Sequence, residues 1–234
     1  MNMNNSYRYL HLFEKEKGGV GSTGSLVSAA HAVMMRGEPV VFIECSVTQS
    51  DVSNAYANRH TVHEVDLKSD DAADQILSAV QQAEPGARIF VNVPGGHLDD
   101  LDRVHDLVRY VKSKYPDLMQ VAVTWTMGLD AASRTTLDVL RETDIPGQLI
   151  LNLPEWHGEL KNYSHVDQDL LDSIQAEGGI VLDMPKLHPH LYDRFRKDEI
   201  GLDVLSQARG MSFGNVAAFE MWQDRIAAKL ADIY

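Results

Sequence analysis

Short apolar runs alternate along the chain with longer stretches in which apolar residues recur every three or four positions. The short runs are typical of strands buried on both faces of a parallel sheet, and the longer stretches are typical of amphipathic helices. The pattern predicts six strands, at 9–13, 40–43, 88–93, 119–124, 148–153 and 180–184. It predicts helices between and after them, at 25–36, 71–83, 98–111, 131–141, 166–177 and 219–233.

Strands that alternate with helices in this way predict an α/β fold with a mostly parallel, doubly wound sheet and helices on both faces. A length of 234 residues suits one such domain, and we expect a single domain over residues 1–234. Ligands of these folds bind at the carboxyl ends of the strands. The loops of interest therefore directly follow strands, at 14–24, 44–51, 92–97, 125–130, 152–158 and 183–190.

The loop after the first strand is rich in glycine and has the sequence Lys17-Gly18-Gly19-Val20-Gly21-Ser22-Thr23-Gly24. Glycines let backbone N–H groups at a helix N-terminus approach an anion closely. One interpretation is a phosphate-binding P-loop, with Ser22 in place of the usual lysine and Thr23 as the magnesium-binding hydroxyl. A second is the dinucleotide fingerprint Gly19-x-Gly21-x-x-Gly24, with Glu44 on the ribose of NAD(P). A third is a turn without a ligand, and the pattern alone leaves all three open.

The wider sequence resembles the deviant P-loop ATPases of the ParA/MinD family, which belong to the SIMIBI class. Glu16-Lys17-Gly18-Gly19-Val20-Gly21 is similar to the start of that family's loop, KGGxGK[ST]. Other similar segments follow in the family's order: the switch segment at 41–46 with Gln49, the second acidic motif at 89–96, the adenine-reading strand end at Leu151-Asn152, and the late loop at Asp183-Met184-Pro185. The chain is also similar to the TraL/StbB-like proteins of plasmid conjugation and stability.

The resemblance implies a P-loop NTPase-like fold that binds ATP or ADP with Mg²⁺ through residues 17–24. It implies catalytic roles for Lys17 and Glu44, metal binding by Thr23 and Glu44, and contacts of Asn152 and Pro185 with the base. In that family, the lysine at the position of Lys17 reaches across a homodimer to the partner's nucleotide. The resemblance therefore implies a homodimeric switch or scaffold that acts with a further protein partner in plasmid maintenance or conjugation.

Three positions depart from the family's pattern. Ser22 stands where a lysine would neutralise phosphate charge, Glu44 is one methylene longer than the usual aspartate, and Asn92 carries no charge to hold Mg²⁺. Loss of one charge-assisted contact costs roughly 1.5–3 kcal/mol. We therefore expect a weak or inactive ATPase, with Lys17 as partial replacement for the lost charge. The alternatives are that Asn92 only caps a strand end and that Glu44 pairs with Lys17 or Lys15.

Composition narrows the set of partners and compartments. The formal net charge of −13 repels nucleic-acid phosphates, so we do not expect direct nonspecific DNA binding, and the one modest basic segment is 194–197. The lone cysteine, Cys45, favours a reducing, cytoplasmic setting. The first residues do not resemble a secretion signal, and no apolar run approaches the about 20 residues that span a bilayer. The apolar stripe of the last helix predicts core or a dimer seam.

Other patterns carry less weight. The histidines at 157, 165, 188 and 190 lack a typical metal-ligand spacing, and Ser22 lacks the first glycine of a hydrolase nucleophile elbow. Trp125 and Trp156 follow strands near the expected ligand edge, where a base could stack on either ring. Packing is the preferred interpretation for both tryptophans.

Overall fold

The computed structural model describes residues 7–46 and 50–234. Within them, seven strands form one sheet in the order β3-β2-β4-β1-β5-β6-β7. The strands are β1 Arg8–Glu14, β2 Val40–Glu44, β3 Thr61–Glu64, β4 Arg88–Asn92, β5 Met119–Thr126, β6 Gln148–Asn152 and β7 Ile180–Leu182. Every neighbouring pair is parallel. The predicted α/β fold with a parallel sheet is therefore confirmed.

Helices connect the parallel strands, because each crossover must return the chain to the same end of the sheet, and further helices follow the last strand. They are α1 Ser22–Met35, α2 Asp51–Tyr56, α3 Ala72–Gln82, α4 Leu98–Lys114, α5 Ala131–Glu142, α6 Gln168–Ala176, α7 Pro189–Lys197 and α8 Phe213–Leu230. Short 3₁₀ turns lie at Glu155–His157, Leu160–Asn162 and Leu202–Gln207.

The core has two parts, one on each face of the sheet. Alternate side chains of a strand point to opposite faces, so Leu12 joins one apolar cluster and its neighbour Phe13 joins the other. The cluster around Leu12 takes in buried residues of α3 to α6, and the cluster around Phe13 takes in those of α1, α2, α7 and α8. The predicted coverage of both faces is confirmed.

The apolar stripe of α8 belongs to the core. Phe219, Trp222, Ile226 and Leu230 are buried in the cluster around Phe13. The Trp222 ring stacks on His31 of α1 with a centroid separation of 5.8 Å. No helix in the described residues combines the length and apolarity needed to cross a membrane.

Three elements were not predicted. The edge strand β3 is short and its residues are exposed or half-buried, so it lacks the apolar run by which the other strands were found. Helix α2 has six residues, too few for a periodic signal. Helix α7 begins with Pro189 in its first turn, where a proline needs no hydrogen bond. The predicted start of α1 at residue 25 was three residues late.

Candidate functional site

The glycine-rich loop joins the central strand β1 to α1. Gly19 and Gly21 have φ angles of 84° and 90°, which only glycine adopts without cost, and Gly21 is the N-cap of α1. The first N–H groups of a helix have no partner within the helix and carry the positive end of its dipole. The loop therefore presents backbone donors at the carboxyl edge of the sheet.

The loop after β4 packs against the start of the glycine-rich loop. A Cβ atom at Gly95 would lie 2.4 Å from the carbonyl carbon of Lys17 and 2.6 Å from the nitrogen of Gly18. The Gly96 N–H donates to the carbonyl of Glu16 at 2.9 Å. The two backbones thus pack directly on each other, and this contact fixes the position of the glycine-rich loop relative to β4.

A cavity of about 760 Å³ opens beside the loop. Six of the predicted site residues line it, namely Gly18, Gly19, Gly21, Ser22, Thr23 and Gly24. Residues from distant segments complete the lining, among them Lys15, Asp51, Asn92, Gly95, His97, Trp156, Lys186, Tyr192 and Arg196. The cavity is large enough for a nucleotide-sized ligand.

Lys17 lies outside this lining. Its ammonium group donates a hydrogen bond to Asp130, whose side chain also accepts from the Ser133 N–H as the N-cap of α5. The hydrogen bond that Lys17 donates to Asp130 raises the pKa of Lys17 above its ordinary value, and the Lys17 side chain is half-exposed. Lys17 is therefore held by its own chain, on the side of the loop that faces α5.

A buried polar chain links three of the predicted residues. The Thr23 hydroxyl donates to Asn92 Oδ1 at 3.2 Å, and Asn92 Nδ2 donates to Glu44 Oε1 at 2.9 Å. The Ser46 and Val52 N–H groups donate to the two carboxylate oxygens of Glu44 at 3.0 and 3.3 Å. Burial raises the pKa of Glu44 to about 7. The structure thus brings Thr23, Asn92 and Glu44 together, although Glu44 is not part of the cavity lining.

The sequence suggested Lys15 only as an ion-pair partner for Glu44, but the structure places Lys15 in the cavity wall. It is 8% exposed, and burial lowers its pKa to about 8 against the opposing charges of Glu44 and Asp51. Within residues 7–46 and 50–234, Glu44 makes no ion pair within 4.0 Å with either Lys15 or Lys17. The sequence did not identify Lys15 as a cavity residue, because Lys15 precedes the glycine motif. The direction of its side chain depends on where β1 ends.

Aromatic side chains cover the far side of the loop. The Trp156 ring lies so close to Gly21 that a Cβ there would be 1.9 Å from Nε1, and Nε1 donates to the Val20 carbonyl at 3.4 Å. Trp156 and Tyr192 both lie 3.4 Å from the position of a Cβ on Gly24. Trp125, by contrast, is fully buried in the core.

The residues predicted to contact a base lie behind the cavity. Asn152 is buried, and its amide donates to Ser25 Oγ at 2.7 Å and Thr126 Oγ1 at 3.4 Å. The Pro185 carbonyl accepts from Trp222 Nε1 at 3.1 Å. Neither residue is part of the cavity lining, whereas the next residue, Lys186, is. Gln49, which the resemblance associated with the switch segment, lies outside the described residues.

The basic segment 194–197 is neutralised by nearby carboxylates. Arg194 pairs with Asp198, Arg196 with Asp51 at 3.1 Å, and Lys197 with Asp193 at 2.8 Å. The Arg196 pair ties α7 to the start of α2 at the edge of the cavity. These pairs leave little net positive charge on this segment.

A parallel sheet with a glycine-rich loop between its central strand and first helix is an arrangement that P-loop NTPases share. Solved structures with this fold include MinD in the MinC:MinD cell division complex of Aquifex aeolicus, which is 12% identical. That match covers 95% of this chain and 96% of the other, with a TM-score of 0.51. BB_S35, a candidate plasmid partition protein of Borrelia burgdorferi B31 solved with AMPPNP, is 10% identical over 95% of this chain and 99% of the other, also with a TM-score of 0.51. At the level of fold, the resemblance to ParA/MinD proteins is confirmed.

Sequence comparisons add little to the fold. No family model matches the chain. Proteolytic subunit 3 of the ATP-dependent Clp protease of Rhizobium meliloti (strain 1021) is 33% identical over 54 residues, which are 23% of this chain and 23% of that protein. The corresponding subunit of Rhizobium etli is 30% identical over 57 residues, 24% of this chain and 28% of that protein. The chain thus spans about a quarter of the length of the curated relatives it matches.

Proposed function

We propose that this chain is a ParA/MinD-like nucleotide-binding protein that binds ATP or ADP with Mg²⁺ and hydrolyses ATP weakly or not at all. The observation that carries the proposal is the cavity whose wall is formed by the glycine-rich loop and the first turn of α1. Backbone donors at a helix N-terminus suit phosphate. The AMPPNP in BB_S35 is consistent with this choice of ligand.

The Thr23–Asn92–Glu44 chain suits a metal position at the edge of the same cavity. Thr23 and Asn92 line the cavity, and Glu44 lies directly behind Asn92. Hydroxyl, amide and carboxylate oxygens are ligands that Mg²⁺ accepts, and Mg²⁺ commonly keeps several waters alongside one or two protein ligands. Thr23 would hold the ion or one of its waters, and Glu44, whose carboxylate oxygens accept bonds from its own chain, would act on the ion through Asn92. The ion would neutralise phosphate charge.

Weak hydrolysis follows from the charges around the loop. Catalysis of phosphoryl transfer depends on positioning and on neutralising charge on the transferred group. Ser22 offers no charge, Asn92 is neutral, and Lys17 is engaged by Asp130. The chain accordingly resembles a switch or scaffold more than a fast ATPase. We propose that it acts as a homodimer in the cytoplasm, with a protein partner, in plasmid partition or conjugation.

Calorimetric titration of the purified chain tests nucleotide binding. ATP, ADP and NAD are titrated with and without Mg²⁺, and we expect ATP and ADP to bind and NAD not to bind. The NAD(P) alternative needs Glu44 on a ribose, but Glu44 is buried with both carboxylate oxygens already bonded. Absence of adenine-nucleotide binding would leave the ligand-free scaffold as the function.

Thr23→Val tests the metal position, since valine keeps the shape of threonine and removes its hydroxyl. We expect the affinity gained by adding Mg²⁺ to fall roughly tenfold, while ATP binding without Mg²⁺ changes little. Thr135→Val is the matched control, because Thr135 is exposed on α5 and donates only to the Ala131 carbonyl. An equal Mg²⁺ effect in the wild type and Thr23→Val would remove Thr23 from the metal position.

A further inference from the structure

Two polar side chains in the cavity wall are buried without a bonding partner. Ser22 is 1% exposed, and its hydroxyl has no hydrogen-bond partner in the described residues. Lys15 is 8% exposed, and over residues 7–46 and 50–234 its ammonium makes no hydrogen bond and no ion pair within 4.0 Å. Both residues line the same cavity beside the glycine-rich loop.

Lys15 is only 8% exposed, and a charged group with so little access to water is costly without a contact partner, so its position favours a compensating charge. The carboxylates of Glu44 and Asp51 act on Lys15 through space only. Glu44 is bonded to Asn92 and to the Ser46 N–H, and Asp51 is paired with Arg196. Lys15 thus retains its capacity to bond to an anion that enters the cavity.

The other cations near the loop are less suited to this role. Lys17 is bonded to Asp130 and lies outside the cavity lining. Arg196 lines the cavity but is paired with Asp51. Lys186 lines the cavity as an exposed residue, so its charge is screened by water. Lys15 combines burial with a place in the wall of the cavity that is also lined by Ser22, the position where the P-loop pattern requires a lysine.

We propose that Lys15 supplies the phosphate-binding cation that the glycine-rich loop lacks at Ser22. The inference rests on the proposed nucleotide-binding function and names the residue that neutralises the phosphates. The ligand chemistry it specifies is a polyphosphate, held between the backbone donors of α1 and the ammonium group of Lys15. In this chain the cation is Lys15, which precedes the glycine-rich loop. In the usual P-loop it is a lysine at the position of Ser22, in the first turn of α1.

The test replaces Lys15 by methionine, whose unbranched side chain is one atom shorter and carries no charge. We expect the affinity for ATP and for inorganic tripolyphosphate to fall about ten- to hundredfold, as for loss of one charge-assisted contact. The affinity for adenosine, which has no phosphate, is expected to stay within a factor of two. Lys161→Met is the control, because Lys161 is exposed and pairs only with Glu159.

A second variant moves the positive charge from position 15 to position 22, where a P-loop usually has its lysine. In Lys15→Met/Ser22→Lys, the ammonium extends from the helix, and we expect tripolyphosphate affinity to recover to within about tenfold of the wild type. Circular dichroism and urea unfolding check that each variant is folded.

Chemical protection in the wild-type chain tests the same contact without a substitution. Brief reductive methylation followed by peptide mass spectrometry measures how accessible the Lys15 amine is. ATP and tripolyphosphate are expected to protect Lys15, while adenosine does not.

The outcomes separate this inference from the proposed function. If the wild type binds ATP and Lys15→Met binds it equally well, Lys15 is not the phosphate cation and nucleotide binding still stands. If adenosine binding falls as much as ATP binding, Lys15 has a structural role and the inference fails. If tripolyphosphate binds through Lys15 but ATP does not bind, the inference stands and the proposed function fails. If neither ligand binds the wild type, both fail.

Discussion

At the scale of single residues, the central strand carries a histidine that the structure keeps uncharged. His11 of β1 is stacked on Phe90 and touches the Tyr234 ring edge-on, at centroid separations of 5.1 and 5.0 Å. Neither ring nitrogen has a hydrogen-bond partner among the described residues. Burial, with a smaller contribution from Arg88, lowers the pKa of His11 to about 3.

This histidine makes stability depend on pH. Below pH 6.5 the unfolded chain takes up a proton that the folded chain does not accept until the pH approaches 3. The free energy of unfolding should therefore fall with acidification, by about 1.4 kcal/mol per pH unit for His11. Urea unfolding at pH 7, 6 and 5 measures the slope. His11→Phe should reduce it, while His190→Gln, at an exposed position, should retain the wild-type slope.

Part of the site was predictable at this scale. Glu44 and Asn92 were found because each ends a strand, and the glycines and Thr23 were found because they lie in or just after the loop that follows β1. Parallel strands bring such positions to one edge of the sheet. Lys15 and the direction of Lys17 were not predicted, because a pairing such as Lys17 with Asp130 depends on how two loops meet. Tyr192 was missed because it comes from α7, a helix with no clear signal in the sequence.

At the scale of elements, the 3₁₀ turn Glu155–His157 acts as a cover on the glycine-rich loop. Trp156 Nε1 donates to the Val20 carbonyl, and a nitrogen of the His157 ring lies 3.0 Å from the same oxygen. Glu155 is held by Arg225 of α8 at 2.7 Å and by the Lys186 N–H at 3.1 Å. The turn is thus tied to both the loop and the last helix.

The fit of Trp156 against Gly21 predicts a specific coupling. Gly21→Ala places a Cβ at positive φ and inside the space of the Trp156 ring, so we expect a loss of roughly 2–5 kcal/mol in the free energy of unfolding. Gly37→Ala is the control, because Gly37 also has positive φ, at 73°, but has no atom within 4 Å of a Cβ. It should cost only about 1–2 kcal/mol.

A double-mutant cycle with Trp156→Ala completes this test. Removal of the ring should relieve the steric part of the Gly21→Ala penalty and leave the cost of positive φ, so the two changes should not add. Urea unfolding of the four proteins measures the coupling. Additive losses would show that the ring does not lie over Gly21.

Buried strands and long helices were predicted from the sequence, whereas some exposed or short elements were not. Strands such as β2 and β4 are apolar along their length because helices cover both faces, and this leaves a clear pattern in the sequence. β3 lies at the sheet edge with exposed ends, and α2 is too short for a helical period to appear. The turn at Glu155–His157 could not be predicted as an element, since its position depends on the contact of Trp156 with Gly21.

At the scale of the whole molecule, Lys17 connects the fold to the proposed dimer. In the single chain it is bonded to Asp130, so a lysine that reaches a second copy must first leave this carboxylate. Asp130→Asn weakens the hold on Lys17 but keeps an oxygen that can cap α5, because asparagine and aspartate are similar N-caps.

We therefore expect Asp130→Asn to raise the fraction of dimer in the presence of ATP, and Lys17→Ala to lower it. Light scattering coupled to size-exclusion chromatography measures the mass with and without ATP and Mg²⁺. Lys161→Ala removes an exposed lysine elsewhere and should behave as the wild type. The same dimer fraction in all four proteins would indicate that Lys17 does not act between subunits.

The strand order has a consequence for how the chain folds. Among the strands of residues 7–46 and 50–234, β1 pairs with β4 and β5, which begin at Arg88 and Met119, so contacts between distant segments close the middle of the sheet. Such contacts form slowly, because the chain loses the entropy of closing a long loop before the contacts stabilise it. During synthesis, β1 and the glycine-rich loop emerge before β4 and β5, and their pairing in the sheet is complete only once β5 has left the ribosome. The cavity beside the loop is therefore completed late in folding.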